Sequence, residues 1–187
     1  MAMQLERHLF TLEEYERIVE AGGFDESARI ELIRGEIADM APIGLRHEAC
    51  VTRLSTLLVR KAGDNAVVWS QNSIRLPNQS RPEPDVSLLR WRDDYYANKH
   101  PMPADVPLVV EVAESSLGYD RKVKAQLYAE AGIPDYWIIN LQDSVVEIFT
   151  EPVRGRYKQV RKAKPGETLP LPGALKGEVQ VSEILGG

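Results

Sequence analysis

The stretch LVVEVAESSLGYDRKVKAQLYAEAGIPDYWIIN, residues 108–140, has the pattern of a strand, a helix and a second strand. LVVEVA is apolar on both faces apart from one carboxylate, which is typical of a central strand. DRKVKAQLYAEAG begins at Asp120, repeats apolar residues at helical spacing and ends at Gly132, and DYWIIN is again an apolar strand. This unit predicts the middle of a sheet that carries a helix.

The flanking sequence adds further strands and helices. Thr11 and Glu14 form a capping box at the start of a helix, Arg34–Gly35 is the turn of a β-hairpin, and apolar residues at helical spacing predict a long helix that ends at Gly63. The sequence predicts strands at NAVVWSQ, SIRLP and DVSLL. It also predicts an antiparallel pair of strands, VVEIFT and GRYKQVRK, and a final helical turn at VSEILGG. We therefore predict an α/β (α+β) fold, a central mixed sheet flanked by helices.

Length and composition predict one domain over residues 1–187, because 43% apolar and 27% charged residues are typical of a globular protein. No apolar stretch is long enough to span a bilayer, so no membrane partner is expected. MAMQLERHLF lacks an apolar core followed by small residues, so we expect no signal peptide. The single cysteine, Cys50, excludes an internal disulfide, and we expect a cytoplasmic, reducing location.

Charge is distributed unevenly along the chain. The net charge of −5 argues weakly against nucleic acid, but residues 154–164, RGRYKQVRKAK, carry six basic residues and no acidic one. This segment is either a patch that contacts phosphate or an edge strand whose charges prevent aggregation. The candidate nucleic-acid-binding residues are Arg154, Arg156, Lys158, Arg161 and Lys162.

Three residues are candidates for chemistry. Glu111 is a carboxylate inside an apolar strand, where it is costly unless a cation or hydrogen-bond donors compensate it, or unless it faces solvent at the strand end. Asp85 opens DVSLL after Pro84, which by itself is only a turn signal. Lys124 follows Asp120 by four residues, so the two form either an exposed helical ion pair or part of a site. Carboxylates on neighbouring strands can share a divalent cation, and an ammonium beside them can orient or help deprotonate water.

The succession RIELIRGEI, HEACVTRL, RPEPDVSLL and residues 108–140 resembles the Uma family of restriction-endonuclease-like proteins, within the PD-(D/E)XK nuclease superfamily. The resemblance covers residues from about 8 to 150. It implies a restriction-endonuclease-like core and a Mg²⁺- or Mn²⁺-dependent endonuclease that hydrolyses phosphodiester bonds of DNA. Because such enzymes commonly pair two sites for two strands, it also implies a homodimer.

The resemblance also implies roles for individual residues. Asp85 and Glu111 match metal ligands, and Glu31 matches an acidic residue that binds metal directly or through water. The superfamily's lysine normally lies two residues after the glutamate that Glu111 matches, and this chain has Ala113 there. Lys124 takes the place of that lysine on the next helix. Weaker or supporting candidates are Glu36, His47, Gln71, Asp120 and Tyr128. For His47 we favour packing or capping, and we expect Tyr128 to pack against Lys124 or to hold its orientation.

Two other functional classes compete with the nuclease. The acidic net charge and the displaced lysine favour a nuclease-fold protein that lacks catalysis and acts as a binding or regulatory module. The pair Ser115–Ser116 suggests a serine hydrolase as a further class. However, no glycine-flanked nucleophile elbow is present, and no histidine follows the serines, since the last one in the sequence is His100. The aromatic residues Trp91, Tyr95 and Tyr96 either stack on bases or form a dimer contact.

Overall fold

A computed structural model describes residues 7–25, 27–173, 175 and 177–186. The first six residues, which enter the expectation of no signal peptide, lie outside these ranges. Within them, no helix is both long and apolar enough to cross a membrane.

A six-stranded sheet forms the centre of the fold, in the order β3-β4-β5-β6-β7-β8. Its strands are β3 (Ala66–Ser70), β4 (Val86–Arg90), β5 (Leu108–Ala113), β6 (Asp135–Asn140), β7 (Val145–Val153) and β8 (Arg156–Ala163). β5 and β6 run parallel and all other neighbours are antiparallel. The prediction of a mixed sheet is therefore confirmed.

The helices are α1 (Leu12–Glu20), α2 (Leu45–Ala62), α3 (Leu117–Tyr119), α4 (Ala125–Glu130) and α5 (Val181–Leu185). A π-helical segment, Asp120–Lys124, joins α3 to α4, so that residues 117–130 form the crossover between the parallel strands. Two small hairpin sheets complete the fold: β1 (Ile30–Ile33) with β2 (Glu36–Asp39), and β9 (Thr168–Pro170) with β10 (Glu178–Gln180).

Helices cover both faces of the sheet. On one face, Leu54 and Leu58 of α2 belong to the same apolar core as Val110 of β5. On the other face, Leu127 and Tyr128 of α4 belong to a core with Val109. Because side chains alternate along a strand, Glu111 lies on the same face as Val109, beneath the crossover helix.

The local features before the sheet agree with the sequence. Thr11 and Glu14 form both hydrogen bonds of the capping box that starts α1. Arg34 and Gly35 connect β1 to β2 with φ of +52° and +80°, which is the backbone of a tight hairpin turn. α2 begins after Gly44 and ends at Gly63.

Two local predictions are wrong. SIRLP is not a regular strand, although Ile74 and Leu76 are fully buried. The Ile74 N–H donates to the Pro82 carbonyl. The segment beside SIRLP contains Pro82 and Pro84, and because proline has no N–H, this segment cannot form a regular strand ladder with it. The helix predicted to begin at Asp120 begins three residues earlier, at Leu117.

Candidate active site

Asp85 and Glu111 lie side by side at one end of the sheet. Val86 pairs with Val110 in the antiparallel ladder of β4 and β5, so Asp85 is opposite Glu111. The Asp85 N–H donates to Glu111 Oε2 at 3.3 Å, and both side chains are buried. Glu111 therefore does not face solvent at a strand end, and Asp85 is more than a turn residue.

Lys124 joins three elements in this buried space. Its Nζ donates to Glu31 Oε1 of β1 at 2.6 Å and to Glu111 Oε1 of β5 at 3.3 Å. Only 5% of the Lys124 side chain is exposed, and no ion pair links it to Asp120. The alternative of an exposed Asp120–Lys124 helical pair is wrong, because the lysine points toward the sheet and the hairpin.

Two further side chains hold the acidic pair in place. The Tyr128 hydroxyl donates to Glu111 Oε1 at 2.7 Å, while its ring centroid lies 6.0 Å from Lys124 Nζ. Tyr128 thus contacts Lys124 mainly through their shared carboxylate. His47 Nε2 lies 3.1 Å from Asp85 Oδ2, which also accepts the Val112 N–H at 2.8 Å. Packing or capping alone therefore does not describe His47, which also orients Asp85.

The crossover helix supplies a further buried carboxylate. Asp120 is in the π-helical segment, a departure from regular α-helix that is frequent at functional sites. The Ser116 hydroxyl donates to Asp120 Oδ2 at 2.6 Å. Asp120 therefore belongs to the inner wall of the site.

Burial sets the protonation of these groups. It raises the pKa of Glu111 to about 8, against the lowering effect of the Lys124 ammonium. It also raises the pKa of Asp120 to about 6. Burial acts to lower the pKa of Lys124, but the Glu111 and Glu31 carboxylates outweigh it and raise that pKa. The site therefore disfavours the charged forms of Glu111 and Asp120, whereas it favours the protonated, ammonium form of Lys124.

A cavity of about 350 Å³ opens onto this group. Its lining includes the loop between β2 and α2, residues 40–44, and the start of the crossover helix. The cavity gives Asp85, Glu111 and Lys124 access to a ligand from outside. The charged and imidazole side chains that line it are Arg29, Glu31, Asp39, His47, Asp85, Glu111, Glu114, Asp120 and Lys124.

The carboxylate oxygens of the cavity are chemically suited to bind a hard divalent cation. Asp85 Oδ1 and Glu31 Oε2 accept no hydrogen bond from the described residues, whereas the other oxygen of each carboxylate does. Carboxylate oxygens are the ligands that Mg²⁺ and Mn²⁺ prefer. As the side chains stand, no three His, Cys, Asp or Glu residues of the described chain converge closely enough to hold a metal ion.

Two sequence candidates lie outside the cavity. Glu36 is at the turn end of the β1–β2 hairpin, where its side chain is 61% exposed and lies 3.5 Å from Arg7. Gln71 follows β3 with an exposed side chain and contacts Asp85 only through a backbone hydrogen bond, from its N–H to the Asp85 carbonyl at 3.1 Å. Neither residue lines the cavity, so neither is a ligand candidate in this arrangement.

The basic segment forms the turn before β8 and the edge strand β8 itself. Arg154 is in the turn, and none of the five candidate basic residues lines the cavity. Lys162 lies near Glu147 and Asp143, at 3.5 Å and 3.9 Å. The edge position agrees with the edge-strand alternative, while contact with phosphate stays a prediction.

The charged cavity residues that the sequence reasoning missed are Arg29, Asp39 and Glu114. Arg29 lies two residues before Glu31, and alternation along an extended chain places both on one face. That spacing is the signal that identifies it.

Comparison with known proteins identifies the family of the chain. A family model described as "Putative restriction endonuclease", Uma2, matches residues 12–183. The chain belongs to this family, as the resemblance implied, and nucleases are the functional class that the family indicates. A search of curated proteins finds no match.

A solved structure has the same fold. It is the crystal structure of a putative nuclease belonging to DUF820 from Anabaena variabilis, with a TM-score of 0.75 and 15% sequence identity. The match covers 95% of this chain and 98% of that chain. At this identity the likeness shows the fold alone, and it confirms the predicted restriction-endonuclease-like core.

Proposed function

We propose that this protein is a Mg²⁺- or Mn²⁺-dependent endonuclease that hydrolyses phosphodiester bonds of DNA. The observation that carries the proposal is the buried contact of Lys124 with Glu31 and Glu111, beside Asp85, in a cavity open to a ligand. Burying so many charged groups in one place is expensive, and such clusters of shifted pKa are typical of functional sites.

Asp85, Glu111 and Glu31 are the residues that would hold the cation. Asp85 Oδ1 and Glu31 Oε2, which accept no hydrogen bond from the part of the chain that the structure describes, support this assignment. When bound, a divalent cation polarises the phosphate and lowers the pKa of a water molecule. It would also favour the charged form of Glu111, whose pKa is raised mainly by burial.

Lys124 supplies hydrogen-bond donation and positive charge in this proposal. Its raised pKa keeps the proton on Nζ, so it orients water and stabilises charge on the attacked phosphate and is not a general base. Tyr128 and His47 are positioning residues, because each contacts a carboxylate of the site.

The test is nicking of supercoiled plasmid DNA with Mg²⁺ or Mn²⁺. We expect Lys124→Ala to reduce the rate by about 100-fold or more. The matched control is Lys122→Ala, an exposed lysine of the same π-helical segment, which is expected to keep the native rate. Equal activity in the native and Lys124→Ala proteins would remove Lys124 from the mechanism.

One observation favours a second function, a binding or regulatory module without catalysis: the described side chains do not converge on a metal position as they stand. Calorimetry with Mn²⁺ distinguishes the two. The nuclease proposal requires heat of binding that Asp85→Asn abolishes. The alternative requires no metal binding, no cleavage, and nucleic-acid affinity that Asp85→Asn leaves unchanged or improves.

The proposal extends to a homodimer that acts in the cytoplasm. Two copies would bring two sites to the two strands of a duplex. Light scattering at micromolar concentration tests the dimer, and a monomeric mass with and without DNA contradicts it.

A further inference from the structure

Arg29 is a cation of the cavity wall that the proposed hydrolysis does not use. It directly precedes β1, and the N–H of Met40 donates to its carbonyl at 2.9 Å, so its backbone continues the β1–β2 ladder. Its side chain is half-buried and lines the cavity together with Glu31. The Arg29 side chain thus lines the cavity while part of it remains exposed to solvent.

The hydrogen bonding of Arg29 leaves most of its donors available. Nη1 donates to the Ala41 carbonyl at 3.2 Å, which fixes the guanidinium against the loop of residues 40–44. No carboxylate of the described chain forms an ion pair with it. A guanidinium has five N–H donors in a planar fork, and such a fork matches two oxygens of a phosphate.

The charge balance of the cavity favours a cation of this kind in the wall. Lys124, the other permanent cation of the lining, already contacts two carboxylates. A nucleic-acid strand that approaches the cavity meets mainly negative charge, and phosphate is repelled unless a cation faces it. Arg29 meets this requirement. The acidic lining residues are Glu31, Asp39, Asp85, Glu111, Glu114 and Asp120.

We propose that Arg29 binds a backbone phosphate of the nucleic-acid substrate at the mouth of the cavity. The inference rests on the proposed function, since it names the group that holds the polyanion beside the site. The competing role is structural, in which Arg29 only supports the loop through the Ala41 carbonyl.

Two substitutions separate these roles. Arg29→Gln keeps an N–H donor for the Ala41 carbonyl and loses the charge, whereas Arg29→Lys keeps the charge and loses the fork. Arg60→Gln, at an exposed position in the last turn of α2, is the matched control for the loss of one positive charge. Thermal unfolding of each variant verifies that the fold is retained.

The measurement is the affinity for a labelled oligonucleotide, single-stranded and duplex, by fluorescence anisotropy over a range of salt concentrations. It is made in EDTA and again in Ca²⁺. We expect Arg29→Gln to bind about tenfold more weakly at low salt. The slope of log K against log salt should fall in magnitude by about 0.7 to 0.9, the loss of one phosphate contact. Arg29→Lys and Arg60→Gln should keep the native slope.

Three results would overturn the inference. Native affinity and slope in Arg29→Gln would leave the nuclease proposal intact and remove Arg29 from substrate binding. Equal weakening in Arg29→Gln and Arg29→Lys with an unchanged slope would assign Arg29 to loop support. Absence of binding by the native protein under both conditions would remove the proposed function first and this inference with it.

Discussion

The buried charges of the cavity and the exposed charges of β8 are the two unusual charged regions of the molecule. Lys124, Glu31 and Glu111 have side chains that are 5%, 4% and 8% exposed. Arg161 and Lys162 of β8 are 50% and 52% exposed. An exposed ion pair contributes about 0 to 1 kcal/mol, whereas breaking a buried one costs several. The small buried group therefore has more effect on stability than the longer basic strand.

The two regions also differ in how far apart in sequence their partners are. Lys124 and Glu31 are separated by 93 residues. Lys162 pairs across one hairpin with Glu147 of the neighbouring strand. The cavity group therefore requires the whole fold, whereas the charges of β8 require only a hairpin. This difference favours the cavity as the specific site and leaves β8 with two possible roles.

The largest effect is expected from Lys124→Met. Removing the ammonium leaves the buried Glu31 carboxylate without its cation, which should lower the free energy of unfolding at pH 7 by about 3 to 5 kcal/mol. Urea unfolding measures this change. The control is Arg161→Ala on β8, expected to change stability by less than about 0.5 kcal/mol. Similar losses in the two variants would contradict the comparison.

Asp120→Asn should change the free energy of unfolding in the opposite direction, toward greater stability. The pKa of Asp120 is raised from 3.8 to about 6, so between these pH values the folded protein keeps a proton that the unfolded chain releases. Stability from this group therefore falls as pH rises through that window and is constant above it. Asp120→Asn should remove the fall and raise the free energy of unfolding at pH 7 by on the order of 1 to 3 kcal/mol.

Urea unfolding of the native protein and of Asp120→Asn at several pH values tests this prediction. A variant that retains the native pH dependence between pH 4 and 6 would show that another group is responsible.

Tyr128→Phe should have a moderate effect. It removes the hydrogen bond to the Glu111 carboxylate and is expected to cost about 1 to 3 kcal/mol. Tyr157→Phe is the matched control, because its hydroxyl donates to the uncharged Ile133 carbonyl at 2.9 Å. Calorimetry should show weaker Mn²⁺ binding in Tyr128→Phe alone. Equal Mn²⁺ affinity in both variants would mean that Tyr128 supports the fold and not the metal ligand.

The smallest change in stability, within about 0.5 kcal/mol, is expected when Lys158 and Arg161 of β8 are both replaced by Gln. If β8 contacts phosphate, the salt slope of DNA binding should fall in magnitude by about 0.9 per residue. If its charges protect a sheet edge, the variant should aggregate and keep the slope. Light scattering and anisotropy decide between these roles, with Arg60→Gln/Lys61→Gln at the exposed end of α2 as the control.

The sequence predicts the central unit well because its signals are local. β5, the crossover helix and β6 follow from apolar runs and helical spacing, and Glu111 is conspicuous inside an apolar strand. That Asp85 and Lys124 lie beside Glu111 was expected from the family resemblance, and the described structure brings them together. Their catalytic and metal-binding roles stay predictions, as does the assignment of one domain.

The errors arise where side-chain position depends on distant parts of the chain. Glu36 is on the same hairpin as Glu31, but its place at the turn takes it away from the cavity. The residue type of Asp120 favours a helix start, yet the helix begins three residues earlier, at Leu117. Arg29 was missed because its spacing of two residues before Glu31 marks it as a cavity residue only once Glu31 is known to line the cavity.

The ion pair between the N-terminal hairpin and the crossover helix has a consequence for synthesis of the protein. A chain still on the ribosome possesses Glu31 long before it acquires Lys124, and the final strands come later still. Nascent or truncated products that lack the crossover cannot assemble the pocket. In the proposed nuclease, the capacity to damage DNA would therefore arise only after the crossover helix has been synthesised.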